Sequence, residues 1–140
     1  MTADKGTILI VDDDPNTRGV LRILLTSEGF DVRAVACGMD ALLACSPIPP
    51  DVVLLDVTMP GWDGYEVRER LRKMYSPTDV VVVFLTAADI ITYSNDDYCI
   101  TKPYDPQRLV QLLHRIIASK AVALVSSQTL THDSPYVVAG

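Results

Sequence analysis

Apolar residues along the chain fall into two alternating kinds of segment. Residues 8–11, 52–55 and 80–85 are short continuous runs rich in Val, Ile and Leu, the pattern of strands buried on both faces in a parallel sheet covered by helices. Residues 31–35 alternate polar and apolar and predict an edge strand, and residues 98–101 predict a fifth short strand. Between them, apolar residues recur at helical spacing. Val67, Leu71, Met74 and Tyr75 stand at i, i+4, i+7 and i+8, and Leu109, Leu112, Leu113, Ile116 and Ile117 complete an amphipathic stripe. Asp14-Pro15 reads as an N-cap followed by proline at the first helical position, opening a helix that runs to Glu28 and stops at Gly29. A shorter helix over residues 39–45 is closed by Pro47, Pro49 and Pro50. Strand and helix in alternation imply right-handed crossovers and an open parallel α/β sheet.

Length and composition narrow this picture. A chain of 140 residues with 49% hydrophobic and 21% charged positions is globular and long enough for one domain. That domain is expected over residues 1–120, with residues 121–140 a weakly periodic extension, either disordered or packed on the domain. The net charge of −6 speaks against direct nucleic-acid binding, which draws on Lys and Arg. Cys37, Cys45 and Cys99 are odd in number and lack Cys-x-x-Cys spacing, which fits a reducing compartment rather than disulfides or zinc. The longest apolar run, residues 80–85, falls far short of the roughly 20 residues of a membrane span. Residues 8–11 are likewise too few for a secretory signal. The expectation is a cytoplasmic protein with no membrane partner.

In open α/β sheets, ligands bind outside the carboxyl ends of the strands. The first strand ends in Asp12, Asp13 and Asp14, the third in Asp56, the fourth in Thr86 and the fifth in Lys102-Pro103. Each has a plain structural explanation. Acids ahead of a helix meet its dipole, Asp56 can end a strand, Thr86 can cap a helix, and Lys102 can be a solvated lysine. Together they make a site for a divalent cation and a phosphoryl group, with Asp12, Asp13, Asp14 and Asp56 expected to cluster. Crowded carboxylates repel unless a hard cation neutralises them, and Mg²⁺ takes one or two carboxylates plus water. One carboxylate can then act as nucleophile and form an aspartyl phosphate, while metal and lysine stabilise charge on the transferring oxygens.

Four stretches carry a family resemblance: Ile8-Leu9-Ile10-Val11-Asp12-Asp13-Asp14, Leu54-Leu55-Asp56-Val57-Thr58-Met59-Pro60-Gly61-Trp62-Asp63-Gly64, Leu85-Thr86-Ala87 and Thr101-Lys102-Pro103-Tyr104. In that order they resemble the receiver domain of two-component response regulators, over about residues 7–120. The resemblance implies a doubly wound, flavodoxin-like sheet of five parallel strands in the order 2-1-3-4-5. It implies Asp56 as phosphoacceptor, Asp13 binding Mg²⁺ directly, Asp12 binding it mainly through water, and the Thr58 backbone carbonyl completing the protein ligands. Thr86 would bond the phosphoryl group, Lys102 would hold one of its oxygens through a loop with a cis Lys102–Pro103 bond, and Gly64 would open the third helix in a tight turn. The implied partners are a histidine kinase or phosphotransfer protein, meeting the first helix and the Lys-Pro loop, and a downstream protein. Such a domain is not an enzyme beyond its own phosphorylation and dephosphorylation.

Two departures stand out. Only residues 87–97 separate Thr86 from the fifth strand, at the floor for a parallel crossover, so a shortened or missing helix is expected there. Receivers also carry an aromatic residue three positions before the lysine. Here that position is Cys99, and Tyr98 lies one residue off, usable only through a bulge or register shift. Trp62, the sole tryptophan, is expected to be exposed and to report on ligand binding. Residues 122–125 or 136–138 are expected to cover apolar surface left bare by the short crossover. Alternative functions are a phosphorylation-independent pseudo-receiver and a haloacid-dehalogenase-type phosphatase. The latter needs an aspartate two residues after the nucleophile, where this chain has Thr58. A flavodoxin-like cofactor carrier would need a Gly-rich cradle after the first strand, which the sequence lacks.

Overall fold

The computed structural model describes residues 6–86 and 98–133, with side chains over 6–85 and 98–123. Strands β1 (Thr7–Val11), β2 (Asp31–Val35), β3 (Val52–Leu55), β4 (Val81–Thr86) and β5 (Tyr98–Thr101) form a parallel sheet in the order β2-β1-β3-β4-β5. The expected strand order is therefore observed. Helices α1 (Pro15–Ser27), α2 (Gly38–Ala44), α3 (Gly64–Met74) and α4 (Pro106–Asp133) are the four among the described residues. The crossover at residues 87–97 lies outside them.

Strand pleating sorts the core into two layers, because successive side chains point to opposite faces. Ile8, Ile10, Val52, Leu54, Val81, Val83 and Leu85 pack with Leu21 and Leu25 of α1 and with Leu109, Leu113 and Ile116 of α4. Leu9, Val11, Val53, Leu55, Val82 and Phe84 pack with Ala41 of α2 and with Val67 and Leu71 of α3. β3 is buried along its whole length, which explains its unbroken apolar sequence. β2, at the sheet edge, is only part-buried, which explains its alternation.

The helix ends follow the sequence chemistry. Asp14 caps α1 by accepting the Asn16 N–H at 3.1 Å, with Pro15 in the first turn. Asp63 caps α3 by accepting the Glu66 N–H at 2.9 Å. Each satisfies a backbone donor that the helix leaves unpaired.

α4 departs from the sequence reading at its far end. Among the described side chains its buried stripe ends at Ile116 and Ile117, with 118–123 largely exposed, and the helix itself continues through residues 121–133. Val122 lies 65% exposed on it, so this residue covers no apolar surface; the side chains of residues 124–125 and all of residues 136–138 lie outside those described. Lys120 anchors the helix where it leaves the core, donating to the carbonyls of Asp79 at 2.6 Å and Asp51 at 3.3 Å. Asp51 in turn accepts the Thr7 N–H at 2.9 Å, so this clasp joins α4 to the starts of β1 and β3.

Helix α2 approaches α3 closely at Gly38. A Cβ there would stand 2.5 Å from Cγ2 of Val67 and 3.1 Å from Cε3 of Trp62. Gly38→Ala should therefore lower stability by about 1–3 kcal/mol through overpacking. Urea denaturation should show this as a lower midpoint at unchanged slope.

Candidate functional site

The acidic site forms where β1 and β3 end side by side. Val11 is in register with Leu55, so Asp12 and Asp56 are the next residues beyond one rung of the sheet. The backbone N–H of Asp56 still bonds the carbonyl of Val11 at 3.0 Å, and that of Asp12 bonds the carbonyl of Val35 at 3.2 Å. Carboxylate oxygens of Asp12, Asp13 and Asp56 lie within 4.8 Å of one another. Asp12 is 3% exposed, Asp56 is half-buried and Asp13 is exposed.

Several contacts hold this arrangement. Oδ1 of Asp12 accepts the Asp14 N–H at 2.9 Å, and Oδ2 stands 3.4 Å from Nζ of Lys102. The Asp12 carbonyl accepts Nη1 of Arg18 at 2.8 Å. Oδ1 of Asp56 accepts the Thr58 N–H at 3.3 Å. Gly64 closes the turn behind Asp56, its N–H bonded to the carbonyl of Val57 at 2.8 Å. A Cβ at Gly64 would lie 2.5 Å from the Asp56 carbonyl oxygen and 2.8 Å from Cα of Val57. Both obstacles are backbone, so only glycine fits.

The structure thus brings Asp12, Asp13, Asp56 and Lys102 together. Lys102 follows β5 and precedes a cis bond to Pro103, as expected, and Ser46–Pro47 is also cis. Thr58 is exposed beside Asp56. Thr86 is the last residue of β4, in register with Thr101 immediately before Lys102. Asp14 stands apart from the three-carboxylate cluster, contrary to expectation. Its carboxylate is engaged at the start of α1 by the Thr17 hydroxyl at 2.8 Å and the Asn16 N–H, and these bonds hold its pKa below the ordinary value.

The register also decides the aromatic question. Cys99 pairs with Phe84, and Tyr98 with Val83, on an uninterrupted ladder. The tyrosine therefore shares a sheet face with the α1 and α4 layer, and the position three before Lys102 belongs to Cys99. Trp62 differs from expectation in being half-buried. It packs on the α2 and α3 layer, with the Arg70 guanidinium 3.9 Å over its ring.

One feature, the role of Arg18, escaped the sequence reading, whereas an open groove lies where the first helix and the Lys-Pro loop were expected to meet a donor. Arg18 looked like any solvated helical arginine, because only the turn of α1 reveals that it reaches back to Asp12. That groove runs beside the site, between Asn16, Thr17 and Val20 of α1 and the loop Lys102-Pro103-Tyr104.

Electrostatically the cluster carries more negative charge than the one ammonium of Lys102 offsets. Burial, and then the Asp12 charge, raise the pKa of Asp56, with Lys102 opposing them. Three converging carboxylates offer hard oxygen donors of the kind Mg²⁺ takes, so the residues fit such a cation. Ionised Asp56 is disfavoured in the metal-free fold, so its contribution opposes folding as pH rises. That loss sets in above the ordinary value of 3.8 and is complete once pH exceeds the raised folded value. Asp56→Asn should accordingly stabilise the metal-free protein at pH 7, and thermal melts in EDTA should show the gain shrinking towards acid pH.

Comparison with known proteins agrees with this geometry. A family model for the response regulator receiver domain matches residues 8–114. Similar relatives include the DNA-binding response regulator MtrA of Mycolicibacterium smegmatis, 40% identical over 79% of this chain and 50% of its own length. The transcriptional regulatory protein TrcR of Mycobacterium tuberculosis is 34% identical over 79% of this chain and 44% of its own. The chain spans about half the length of these curated relatives. Among solved structures, a CheY-like receiver domain from Methanospirillum hungatei has a TM-score of 0.73 at 28% identity, covering 84% of this chain and 98% of its own. TrrA of Thermotoga maritima has a TM-score of 0.70 at 28% identity, covering 83% and 99%. The MtrA relationship corrects the exclusion of nucleic acid as a partner. Net charge describes only the 140 residues counted, whereas the DNA-binding relatives are about twice as long as the matched region. Among the described residues no helix is long and apolar enough to cross a membrane. Motifs, strand order, acidic strand ends and family model thus coincide over the same residues: the chain belongs to the response regulator receiver domain family.

Proposed function

We propose that this receiver is a Mg²⁺-dependent phosphorylation switch in which Asp56 is the phosphoacceptor. The observation that carries the reading is the convergence of the Asp12, Asp13 and Asp56 carboxylates within 4.8 Å beside Lys102. The receiver is assigned to residues 1–120 and acts in the cytoplasm, with residues 121–140 an extension that begins as the end of α4. Likeness to TrrA, solved in complex with Mg(2+)-BeF, and to the BeF3-activated DrrB receiver domain supports a site of this type.

In this reading Asp13, Asp56 and the Thr58 carbonyl would hold Mg²⁺ directly and Asp12 mainly through water, and the ion would neutralise the crowded carboxylates and offset charge on the phosphoryl oxygens. A carboxylate oxygen of Asp56 attacks phosphorus as the P–N bond of a phosphohistidine donor breaks. The bonding pair leaves with the imidazole nitrogen, and the product is an aspartyl phosphate. Lys102 meets one phosphoryl oxygen and Thr86 bonds another. Beyond this self-modification the domain is not an enzyme. The donor, a histidine kinase or phosphotransfer protein, docks on the groove between α1 and the Lys102-Pro103-Tyr104 loop, where Val20 is 64% exposed. Added charge and acceptor oxygens at the strand ends then bias a two-state equilibrium that a downstream protein reads.

Incubation with Mg²⁺ and acetyl phosphate should add the mass of one phosphoryl group to the intact protein, and Asp56→Asn should abolish the gain. Lys102→Ala should slow the reaction by about 10²-fold, the effect of removing one donor to a developing charge. No gain with any donor would favour the pseudo-receiver, and catalytic turnover of a phosphomonoester would favour the phosphatase.

Trp62 provides a second readout, because it stands on the loop that follows Asp56 and packs on the α2 and α3 layer. Its emission should change on titration with Mg²⁺ in wild type and stay flat in Asp13→Asn.

A further inference from the structure

Asp12 and Asp13 supply two of the three carboxylates, and a single peptide group joins them. The carbonyl of that peptide belongs to Asp12, a buried residue immediately beyond β1. Past the end of the strand it needs a donor from outside the sheet ladder. Arg18 provides one. It stands in the second turn of α1, its own N–H bonded to the Asp14 carbonyl at 3.1 Å, and its Nη1 reaches back to the Asp12 carbonyl at 2.8 Å.

Other contacts tie the rest of the segment. The Asp12 N–H goes to Val35, Oδ1 of Asp12 takes the Asp14 N–H, and Oδ2 faces Lys102. A peptide group is planar, so holding its carbonyl fixes the plane from which Asp13 departs. Asp13 is exposed, so packing does not fix its side chain, and the plane places the Cα from which its carboxylate extends.

We propose that Arg18 is a positioning residue of the site: by holding the Asp12–Asp13 peptide it aims both carboxylates, with Asp56, at one cation. The inference rests on the reading of the cluster as the Mg²⁺ site. Charge and geometry make opposite demands of this residue. As a nearby cation Arg18 repels Mg²⁺, so if charge were its whole contribution, a neutral replacement would tighten binding. As the partner that orients the ligands it strengthens binding, and such outer partners typically contribute about 10–100-fold in metal affinity. The sign of one measurement separates the two.

That measurement is calorimetric titration of the full chain with Mg²⁺, with thermal melts in EDTA to follow folding. Arg18→Met, which removes charge and donor but keeps most of the aliphatic stem, should weaken Mg²⁺ binding about tenfold or more. Arg18→Lys, which keeps charge and N–H donors, should recover part of the loss. Phosphorylation of Arg18→Met by acetyl phosphate should approach the wild-type rate once Mg²⁺ is saturating. Equal or tighter Mg²⁺ binding by Arg18→Met would overturn the proposal. If that variant melts too low to titrate, Arg18→Gln decides by the same sign. Asp13→Asn keeps the two readings apart. Lost binding there with none lost in Arg18→Met overturns the positioning role alone, whereas undiminished binding in Asp13→Asn overturns the Mg²⁺ site and the positioning role with it.

Discussion

Like-charge repulsion at one edge of a parallel sheet is the constraint on which the rest of this structure depends. Three carboxylates converge within 4.8 Å, and the ammonium of Lys102 lies 3.4 Å from one of them. Free side chains would splay apart to relieve that crowding. Here the backbone prevents it, because β1 and β3 are locked in register up to Val11 and Leu55 and the acids follow at once. The two apolar layers hold the ladder flat and buried, and the glycine turn at Gly64 stops the segment after Asp56 from retreating. Hydrophobic packing thus maintains an electrostatic arrangement that like-charge repulsion alone would disfavour.

How much of this could be read from the sequence depended on how local each signal was. Buried strands announced themselves as unbroken Val, Ile and Leu runs, and the caps at Asp14 and Asp63 follow from acids placed ahead of helical stripes. The site residues were legible because they stand directly at strand ends, where topology alone brings them together. Asp14 was misassigned to the cluster because adjacency in sequence does not tell a capping carboxylate from a converging one; the Thr17 hydroxyl and Asn16 N–H decide it. Arg18 was invisible for a similar reason, since its partner lies six positions back along a path that only the helix turn defines. The end of α4 was misjudged because hydrophobic periodicity reports what is buried, and the helix outlasts its buried stripe. No Gly or Pro interrupts residues 107–134, and that absence was the better guide.

Around the site, two sheet faces carry different chemistry. Tyr98 and Ile100 belong with α1 and α4, while Cys99 and Thr101 stand on the other pleat with Phe84 and the end of β4. A thiol therefore occupies the position three before Lys102. The thiol is exposed on that face, and burial of part of it raises its pKa while a bond with the Thr101 side chain lowers it. A tyrosine one residue away cannot substitute for it, because one step along a strand is a change of face.

The clasp made by Lys120 gives α4 a mechanical meaning. Below it the helix is part of the core; beyond it the helix runs on to Asp133, a rod of roughly 20 Å at 1.5 Å per residue. Its anchor at Asp51 and Asp79 lies at the opposite end of the strands from the carboxylates. The two ends of the sheet are thus divided, one holding the acidic cluster and the other holding α4 through hydrogen bonds from a single lysine.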